Sequence, residues 1–268
     1  MLSPVLFVVF FLTLFKFSSL NVPVTELKRP YPRDCSDIKE RYFSKFHTIK
    51  PEYAEEPFAV LCDFKNPKTH WTYILNRFTG NQSFFRDWDS YVNGFGHLAG
   101  DFWLGLEKIY QLTGHEINEL SVELVDWRNR VATVTYAGFM IAGKDTDYTI
   151  KLLTGAHGDA GDSLYDQSGL KFSTIDRDND MYNGNCADEI NAGWWFRNCT
   201  RGLPTGTYYP RDAPFGKRYK CIYWRTWHRK QCLQKVSMKV RPRPPYRSLY
   251  KRPYFKKLVS FPKTTPRN

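Results

Sequence analysis

Three carboxylates stand at every second position in a stretch rich in Gly, Asn and Asp: Asp176, Asp178 and Asp180. Anions this close repel one another, so the spacing favours a bound cation or several hydrogen-bond donors. Carboxylate and carbonyl oxygens in a loop suit Ca²⁺. An EF-hand is excluded, because the sixth position of the run is Met181 and the twelfth is Ala187, where that motif needs Gly and Glu. The spacing alone leaves two interpretations, a calcium loop or a solvated acidic turn.

A second candidate for chemistry is the run Gly-Asp-Ser-Leu at residues 161–164, which is the signature of GDSL-type esterases. Those enzymes hold the serine near the N-terminus and take their base from a C-terminal Asp-x-x-His. None of the six histidines here follows an Asp by three positions. A serine without a positioned base is not an activated nucleophile. We therefore predict that Ser163 is a turn residue and that the protein is not an enzyme.

The histidines and tryptophans offer weaker signals. The six histidines contain no i,i+4 pair, which argues against a zinc site on a helix. Several tryptophans could form a surface on which sugars stack, or they could lie in the core, and burial is the interpretation that we favour. They are Trp103, Trp194, Trp195, Trp224 and Trp227.

Hydrophobic patterning indicates which elements position these residues. Residues 120–136 alternate as two strands around a turn at 128–130, and residues 148–153 read as another strand. Residues 84–92 have aromatic side chains at helical spacing and are followed by glycines. Loops dominate residues 155–216. A sheet with a few helices, followed by a loop-rich lobe, predicts an α+β fold.

The N-terminus and the cysteines point to secretion. Residues 5–15 form an 11-residue apolar run, typical of a signal peptide, which we place at residues 1–20; a short signal anchor is the alternative. A Pro-containing linker, residues 21–33, follows it. The six cysteines are an even number and contain no Cys-x-x-Cys, as expected of disulfides in a secreted protein. Asn81 opens an Asn-Gln-Ser sequon, so we predict that it is glycosylated.

The net charge of +12 comes mainly from the C-terminus. Residues 241–268 hold nine Lys and Arg and no acid, and without them the net charge of the chain falls to +3. The chain has no zinc-finger spacing, RNP motif or basic helix, so nucleic-acid binding is not expected. We predict that residues 243–268 are a disordered, basic, Pro-rich tail. Its cations and aromatic residues could instead hold an anionic surface.

Several long motifs, in order along the chain, closely resemble the fibrinogen C-terminal domain of ficolins, tachylectin-type lectins, angiopoietins and fibrinogen chains. The resemblance extends over about residues 34–242. Its main motifs are FRDWDSYVNGFG at 85–96, FWLGLEKI at 102–109, AGDSL at 160–164, FSTIDRDND at 172–180 and MKVRP at 238–242. It implies an α+β domain with a disulfide-tied N-terminal part, a central antiparallel sheet and a lobe that holds calcium and ligand. It also accounts for the GDSL run.

Spacing alone permits 15 ways of pairing six cysteines. The resemblance implies bridges between Cys35 and Cys62 and between Cys186 and Cys199. Cys221 and Cys232 remain, and the usual family pattern lacks them. They flank a segment that looks like a hairpin, so we predict a third bridge across it.

The resemblance also implies a calcium site and a ligand pocket. Calcium would take the side chains of Asp178 and Asp180 and the backbone carbonyls of Tyr182 and Gly184, with Asp176 as a supporting charge.

The pocket would adjoin a cis peptide between Asn198 and Cys199. Thr200 stands where acetyl-binding members have histidine. Arg218 stands near a usual aromatic position, which Tyr219 fills if the alignment slides by one residue.

These departures leave the calcium site intact and alter the acetyl pocket. Cations crowd the same lobe and would favour an anionic glycan, or they are solvated loop charges: Arg197, Arg201, Arg211, Lys217 and Arg218. We predict a secreted calcium-binding recognition protein that binds acetylated or anionic glycans in innate defence. The alternative is a signalling or structural ligand that binds an extracellular protein. A homo-oligomer is compatible with either.

Overall fold

The structure is a computed structural model that describes residues 29–39, 44–67, 69–209, 219–229 and 231–243. The chain divides into the units Met1–Pro30 and Tyr31–Asn268, and all elements below belong to the second. The predicted signal peptide, most of the linker and the tail beyond residue 243 lie outside the described residues. Among the described residues, no helix has the length and apolar character needed to cross a membrane.

The described residues form an α+β fold, as the sequence predicts. The strands are β1 (Phe46–Ile49), β2 (Phe58–Asn66), β3 (Thr69–Arg77), β4 (Phe95–Gly96), β5 (Phe102–Trp103), β6 (Asn118–Val125), β7 (Val131–Ile141), β8 (Ile150–His157), β9 (Gly202–Leu203), β10 (Tyr223–Trp224) and β11 (Lys235–Pro242). The helices are α1 (Trp88–Asn93), α2 (Leu106–Thr113), α3 (Cys186–Ile190) and α4 (Arg225–His228). Two 3-10 turns cover Cys35–Asp37 and Lys144–Thr146.

One antiparallel sheet organises the fold, in the strand order β1-β2-β3-β11-β6-β7-β8. The short strands β4 and β5 extend it from β3, while β9 and β10 pair separately in the loop-rich lobe, residues 158–209 and 219–233. The last strand, β11, lies in the middle, where Val236 faces Arg77 of β3 on one side and Leu124 of β6 on the other. The sheet is therefore complete only when the end of the domain has been placed.

The predicted strand pair around residues 128–130 is confirmed as the hairpin β6–β7. Buried and half-buried residues alternate along β6, because successive side chains point to opposite faces of a strand. In the turn, Asn129 adopts a left-handed φ of 60°. The carboxylate of Asp126 accepts hydrogen bonds from the backbone N–H groups of Arg128 and Arg130.

Two predicted boundaries are wrong, each for a local reason. Helix α1 begins at Trp88 instead of Phe84, because the carboxylate of Asp87 caps it by accepting a hydrogen bond from the Ser90 N–H. Strand β8 begins at Ile150 instead of residue 148, since Asp147 and Tyr148 both have positive φ and turn the chain before the strand.

Aromatic side chains join the sheet to the lobe. The ring of Phe172 lies 5.0 Å from that of Tyr91 and 4.9 Å from that of Trp195, measured between centroids. Trp103, Trp194, Trp195 and Trp224 are all buried, as predicted, so none of them forms a surface for sugars. Trp227 is half-buried and stacks on His228.

A buried ion pair connects the middle strands. The Nζ of Lys239 on β11 lies 2.8 Å from the Oδ2 of Asp63 on β2, and both side chains are only 7% exposed. Glu123 on β6 lies 3.6 Å from the same ammonium. Burial alone would raise the pKa of Asp63, but hydrogen bonds from Lys239 and from the Lys65 N–H outweigh it and lower the pKa.

The Ser163 hydroxyl has a structural role, because it connects α4 to the first part of the lobe. It accepts a hydrogen bond from the Thr226 N–H at 3.0 Å and donates to the Thr226 hydroxyl at 2.9 Å. The Thr226 hydroxyl in turn donates to the carbonyl of Ala160. Ser163 is fully buried, and no histidine among the described residues shares a hydrogen bond with it.

We expect Lys239→Met to lower the free energy of unfolding by about 3 kcal/mol at pH 7, because it leaves Asp63 buried without its partner. The lowered pKa of Asp63 contributes stability above its ordinary pKa, and this stability is lost as the pH falls through the acid range. The deficit of the variant should therefore shrink towards pH 3 in urea unfolding. Lys235→Met, at an exposed position of the same strand, is the control. An equal deficit at both pH values would contradict this account.

We expect Ser163→Ala to cost about 0.5–1.5 kcal/mol of unfolding free energy, because it removes the hydrogen bond that the buried Ser163 hydroxyl accepts from the Thr226 N–H. Ser168→Ala, at an exposed position of the same lobe, should change stability little. Hydrolysis of p-nitrophenyl acetate should stay at the buffer rate for the wild type and both variants. Turnover by the wild type that Ser163→Ala abolishes would show that the serine is catalytic.

Candidate functional site

The acidic loop is a tight turn that leads into α3. Thr174 and Arg177 exchange backbone hydrogen bonds at 2.9 and 3.2 Å. The carboxylate of Asp176 points towards α1, where it accepts from the Trp88 N–H at 2.9 Å and from the Thr174 hydroxyl at 2.7 Å. Asp176 thus anchors the start of α1, which is distant in the sequence.

Asp178 and Asp180 lie together and shape the rest of the loop. The Asp180 N–H donates to the Asp178 carboxylate. The Asp180 carboxylate accepts from the Tyr182 N–H at 2.8 Å and from the Cys186 N–H at 2.9 Å, which ties it to the start of α3. Burial, and then the negative charge of Asp178, raise the pKa of Asp180. A cation between the two carboxylates would relieve this repulsion.

The oxygen atoms of this loop fit a hard cation. In the described part of the chain, no Lys or Arg forms an ion pair with Asp178 or Asp180. No described backbone N–H donates to the carbonyl of Tyr182 or Gly184, so both keep free lone pairs. No described cluster of three or more His, Cys, Asp or Glu side chains could hold a metal. Backbone carbonyls would therefore have to complete the ligand shell, as Ca²⁺ allows.

The predicted ligand segment lies beside this loop. A disulfide joins Cys186 to Cys199, and the peptide bond between Asn198 and Cys199 is cis. The Met181 N–H donates to the carbonyl of Arg197 at 3.0 Å, which connects the acidic loop directly to this segment.

Thr200 is occupied inside the lobe. Its hydroxyl accepts from the Gln167 side-chain amide at 2.9 Å and donates to the carbonyl of Gly202 at 2.8 Å. Its own carbonyl accepts from the hydroxyl of Tyr223. Of the remaining predicted pocket residues, Tyr219 is 43% exposed, whereas Arg218 lies outside the described residues.

The other two disulfides have the predicted partners, Cys35–Cys62 and Cys221–Cys232. The segment between Cys221 and Cys232, however, is not the predicted hairpin. Strand β10 pairs with the distant β9, with Tyr223 opposite Leu203, and the chain then turns into helix α4. The local pattern predicts that this strand pairs within its own segment, but β10 pairs instead with β9, which is distant in the chain.

The structure also forms a site that the sequence analysis missed. A cleft of about 570 Å³, here named the arginine cleft, is lined by Tyr165, Arg201, Arg225, Thr226 and Arg229. Only Arg201 belongs to the predicted basic group. Arg197 is exposed and does not line the cleft, while Arg211, Lys217 and Arg218 lie outside the described residues. The i,i+4 spacing of Arg225 and Arg229 was the signal available in the sequence.

Asn81 of the predicted sequon is exposed, just after β3. The preceding residue, Gly80, is held by a hydrogen bond from its N–H to the carboxylate of Asp101 at 2.8 Å. The asparagine side chain is accessible, and its glycosylation stays a prediction.

Comparison with known proteins shows which proteins this chain resembles in sequence and structure. Residues 31–243 match the family model described as "Fibrinogen beta and gamma chains, C-terminal globular domain". Angiopoietin-related protein 2 of Mus musculus is 37% identical over 216 residues, which cover 79% of this chain and 43% of that protein. The fibrinogen gamma chain of Petromyzon marinus is 35% identical over 241 residues, covering 78% of this chain and 54% of that one. The chain thus spans about half the length of these relatives.

Solved structures agree with the sequence matches. The fibrinogen-like globe domain of human ANGPTL2 aligns with a TM-score of 0.76 and 35% identity, covering 80% of this chain and 100% of that one. Lamprey fibrin D-dimer, solved with the peptide ligand Gly-His-Arg-Pro-amide, aligns with a TM-score of 0.72 and 34% identity, covering 80% of this chain and 75% of that one. The three disulfides, the sheet and the matched residues lead to one conclusion: this chain belongs to the fibrinogen C-terminal domain family.

Proposed function

We propose that this chain is an extracellular recognition domain that binds a protein partner through its lobe and is stabilised by calcium. Three disulfides and no free cysteine among the described residues suit an oxidising, extracellular setting. The relatives described above are named as angiopoietin-related and fibrinogen proteins, and one structure holds a peptide ligand. These similarities favour a protein partner over a sugar.

The observation that carries this proposal is that the polar groups of Thr200 form hydrogen bonds within the protein. A sugar pocket needs polar groups that are free to bind the ligand. Here the Thr200 hydroxyl and carbonyl are used by Gln167, Gly202 and Tyr223. The position where acetyl-binding relatives present a histidine therefore holds a side chain that braces the lobe.

Lectin activity, which the sequence analysis favoured, is the second candidate. It draws support from Tyr219, which the resemblance assigns to the pocket and whose exposed ring could cover the apolar face of a sugar. None of the comparisons above shows sugar binding.

Calcium is part of the proposal. Asp178 and Asp180 would supply carboxylate oxygens, and Tyr182 and Gly184 would supply carbonyls. The bound ion would supply positive charge where two carboxylates repel each other. It would also order the loop that leads into α3, because the Asp180 carboxylate already holds the Cys186 N–H.

We expect calcium to raise the melting temperature of the wild type by several degrees, since a ligand at about 100 times its Kd stabilises the fold by about 2.7 kcal/mol. Asp178→Asn should lose most of this shift. Asp176→Asn is the matched control: it should melt lower in EDTA, because it weakens the anchor of α1, yet keep the calcium shift. The measurement is thermal unfolding in calcium and in EDTA. A wild type that does not respond, or an Asp178→Asn variant that responds fully, would refute the calcium site.

For the partner, we expect the mature protein to bind a member of an array of extracellular protein domains, with an excess of free N-acetylglucosamine causing no displacement. Tyr219→Ala should weaken that binding by about 2 kcal/mol if the lobe makes the contact, as exposed tyrosines often do at interfaces. Tyr53→Ala, at an exposed tyrosine outside the lobe, should leave it unchanged. Calcium-dependent binding to acetylated glycans, displaced by the free sugar, would instead establish a lectin.

A further inference from the structure

Backbone hydrogen bonds bring the three arginines of the cleft together, because they fix the backbone positions from which the side chains project. The Arg225 N–H donates to the carbonyl of Arg201 at 3.0 Å, and the Arg229 N–H donates to the carbonyl of Arg225 at 2.9 Å. Thr226 is held by Ser163, because its N–H donates to the Ser163 hydroxyl. The backbone of the cleft is thus tied to the rest of the lobe.

Positive charge in the cleft is poorly compensated. Arg201 has one acidic neighbour, Asp166, at 3.7 Å. Within the described residues, neither Arg225 nor Arg229 forms an ion pair with a carboxylate. Three arginines line one cleft in which a single ion pair is present among the described residues, so a bound anion would meet uncompensated positive charge. The planar guanidinium also pairs with oxyanions through two parallel hydrogen bonds.

Three backbone N–H groups of the cleft are not available to a peptide main chain. Peptides in extended form usually pair their backbone with exposed N–H and C=O groups of the host. Here the N–H groups of Arg225, Thr226 and Arg229 already have partners inside the lobe. The arginine side chains are thus the main binding groups that α4 offers, which favours a ligand that carries anionic groups on its outside.

Tyr165 adds a second preference. Its side chain is 55% exposed, and the guanidinium of Arg201 lies 5.1 Å from its ring centroid. An aromatic ring beside cations can cover the apolar face of a sugar ring while the cations bind its substituents. We propose that the arginine cleft binds the sulfate groups of a sulfated polysaccharide. The cleft shares no residue with the calcium loop and does not include Tyr219, so its test is independent of the tests of the proposed function.

Heparin is the probe, immobilised and tested with the full chain at about physiological salt, where screening removes weak long-range attraction. We expect Arg225→Gln combined with Arg229→Gln to lower the affinity about tenfold or more, since each substitution removes a charge-assisted contact to sulfate. The control is Arg86→Gln combined with Lys151→Gln, which removes the same charge at exposed positions outside the cleft. It should change the affinity less than about twofold. Both variants keep the basic tail, so its contribution cancels.

Two competitors identify the chemistry. Desulfated heparin, which keeps its carboxylates, should compete poorly, and so should a poly-glutamate peptide. Equal losses in the cleft variant and the control would overturn the proposal, because they would show dependence on net charge alone. Poly-glutamate that competes as well as heparin would also overturn it, in favour of an acidic protein segment. Both variants must melt as the wild type does. If the cleft variant melts lower, Arg229→Gln alone repeats the test at an exposed position.

Discussion

The contact between the sheet and the lobe depends on one buried cation. Arg77, at the end of β3, is almost fully buried, and its guanidinium donates to the carbonyls of Pro204 at 3.3 Å and Gly206 at 2.6 Å. Its guanidinium carbon also lies 3.8 Å from the centroid of the Phe84 ring. Burial lowers the pKa of Arg77 to about 10, so the side chain is still charged at neutral pH, and nearby Asp101 offsets part of the cost. A buried charge without partners is very unfavourable. Arg77 therefore favours a state in which β3 has packed against both Phe84 and the lobe.

The lobe is ordered mainly by polar side chains that bind the backbone, since regular elements there are short. Asp176 holds the start of α1, Asp180 holds the start of α3, and the Asn179 amide donates to the carbonyl of Phe172 at 2.8 Å. Ser163 holds α4 in the same way. Loops of this kind can vary in sequence at their surface while the scaffold beneath them stays in place, which suits a recognition domain. A substitution in one of these bracing residues would change stability and the binding surface together.

Two features of opposite charge result from this arrangement. The acidic loop brings Asp178 and Asp180 together with unpaired carbonyls, and the arginine cleft brings Arg201, Arg225 and Arg229 together with a single carboxylate nearby. In each case the fold brings groups of like charge into one region, and a ligand of opposite charge would lower the electrostatic cost, as proposed above. The neighbouring Thr200 position shows the contrary case, because its polar groups are satisfied by the protein itself.

Local sequence was sufficient for the elements whose hydrogen bonds are local. The alternation along β6 and β7 and the turn at Asn129 specify that hairpin. Motifs in a fixed order along the chain were sufficient to recognise the family and, with it, the α+β class and the pairs Cys35–Cys62 and Cys186–Cys199. Tertiary structure decided the rest, because the partners are far apart in the chain: β10 pairs with β9 instead of forming a hairpin, and Thr200 turns inward to Gln167. The arginine cleft likewise combines residues that are distant in the chain, since the Arg225 N–H donates to the carbonyl of Arg201. Sequence patterns report the spacing of neighbours along one element, whereas a site assembled from several loops depends on hydrogen bonds that form only after the sheet and the lobe have packed together.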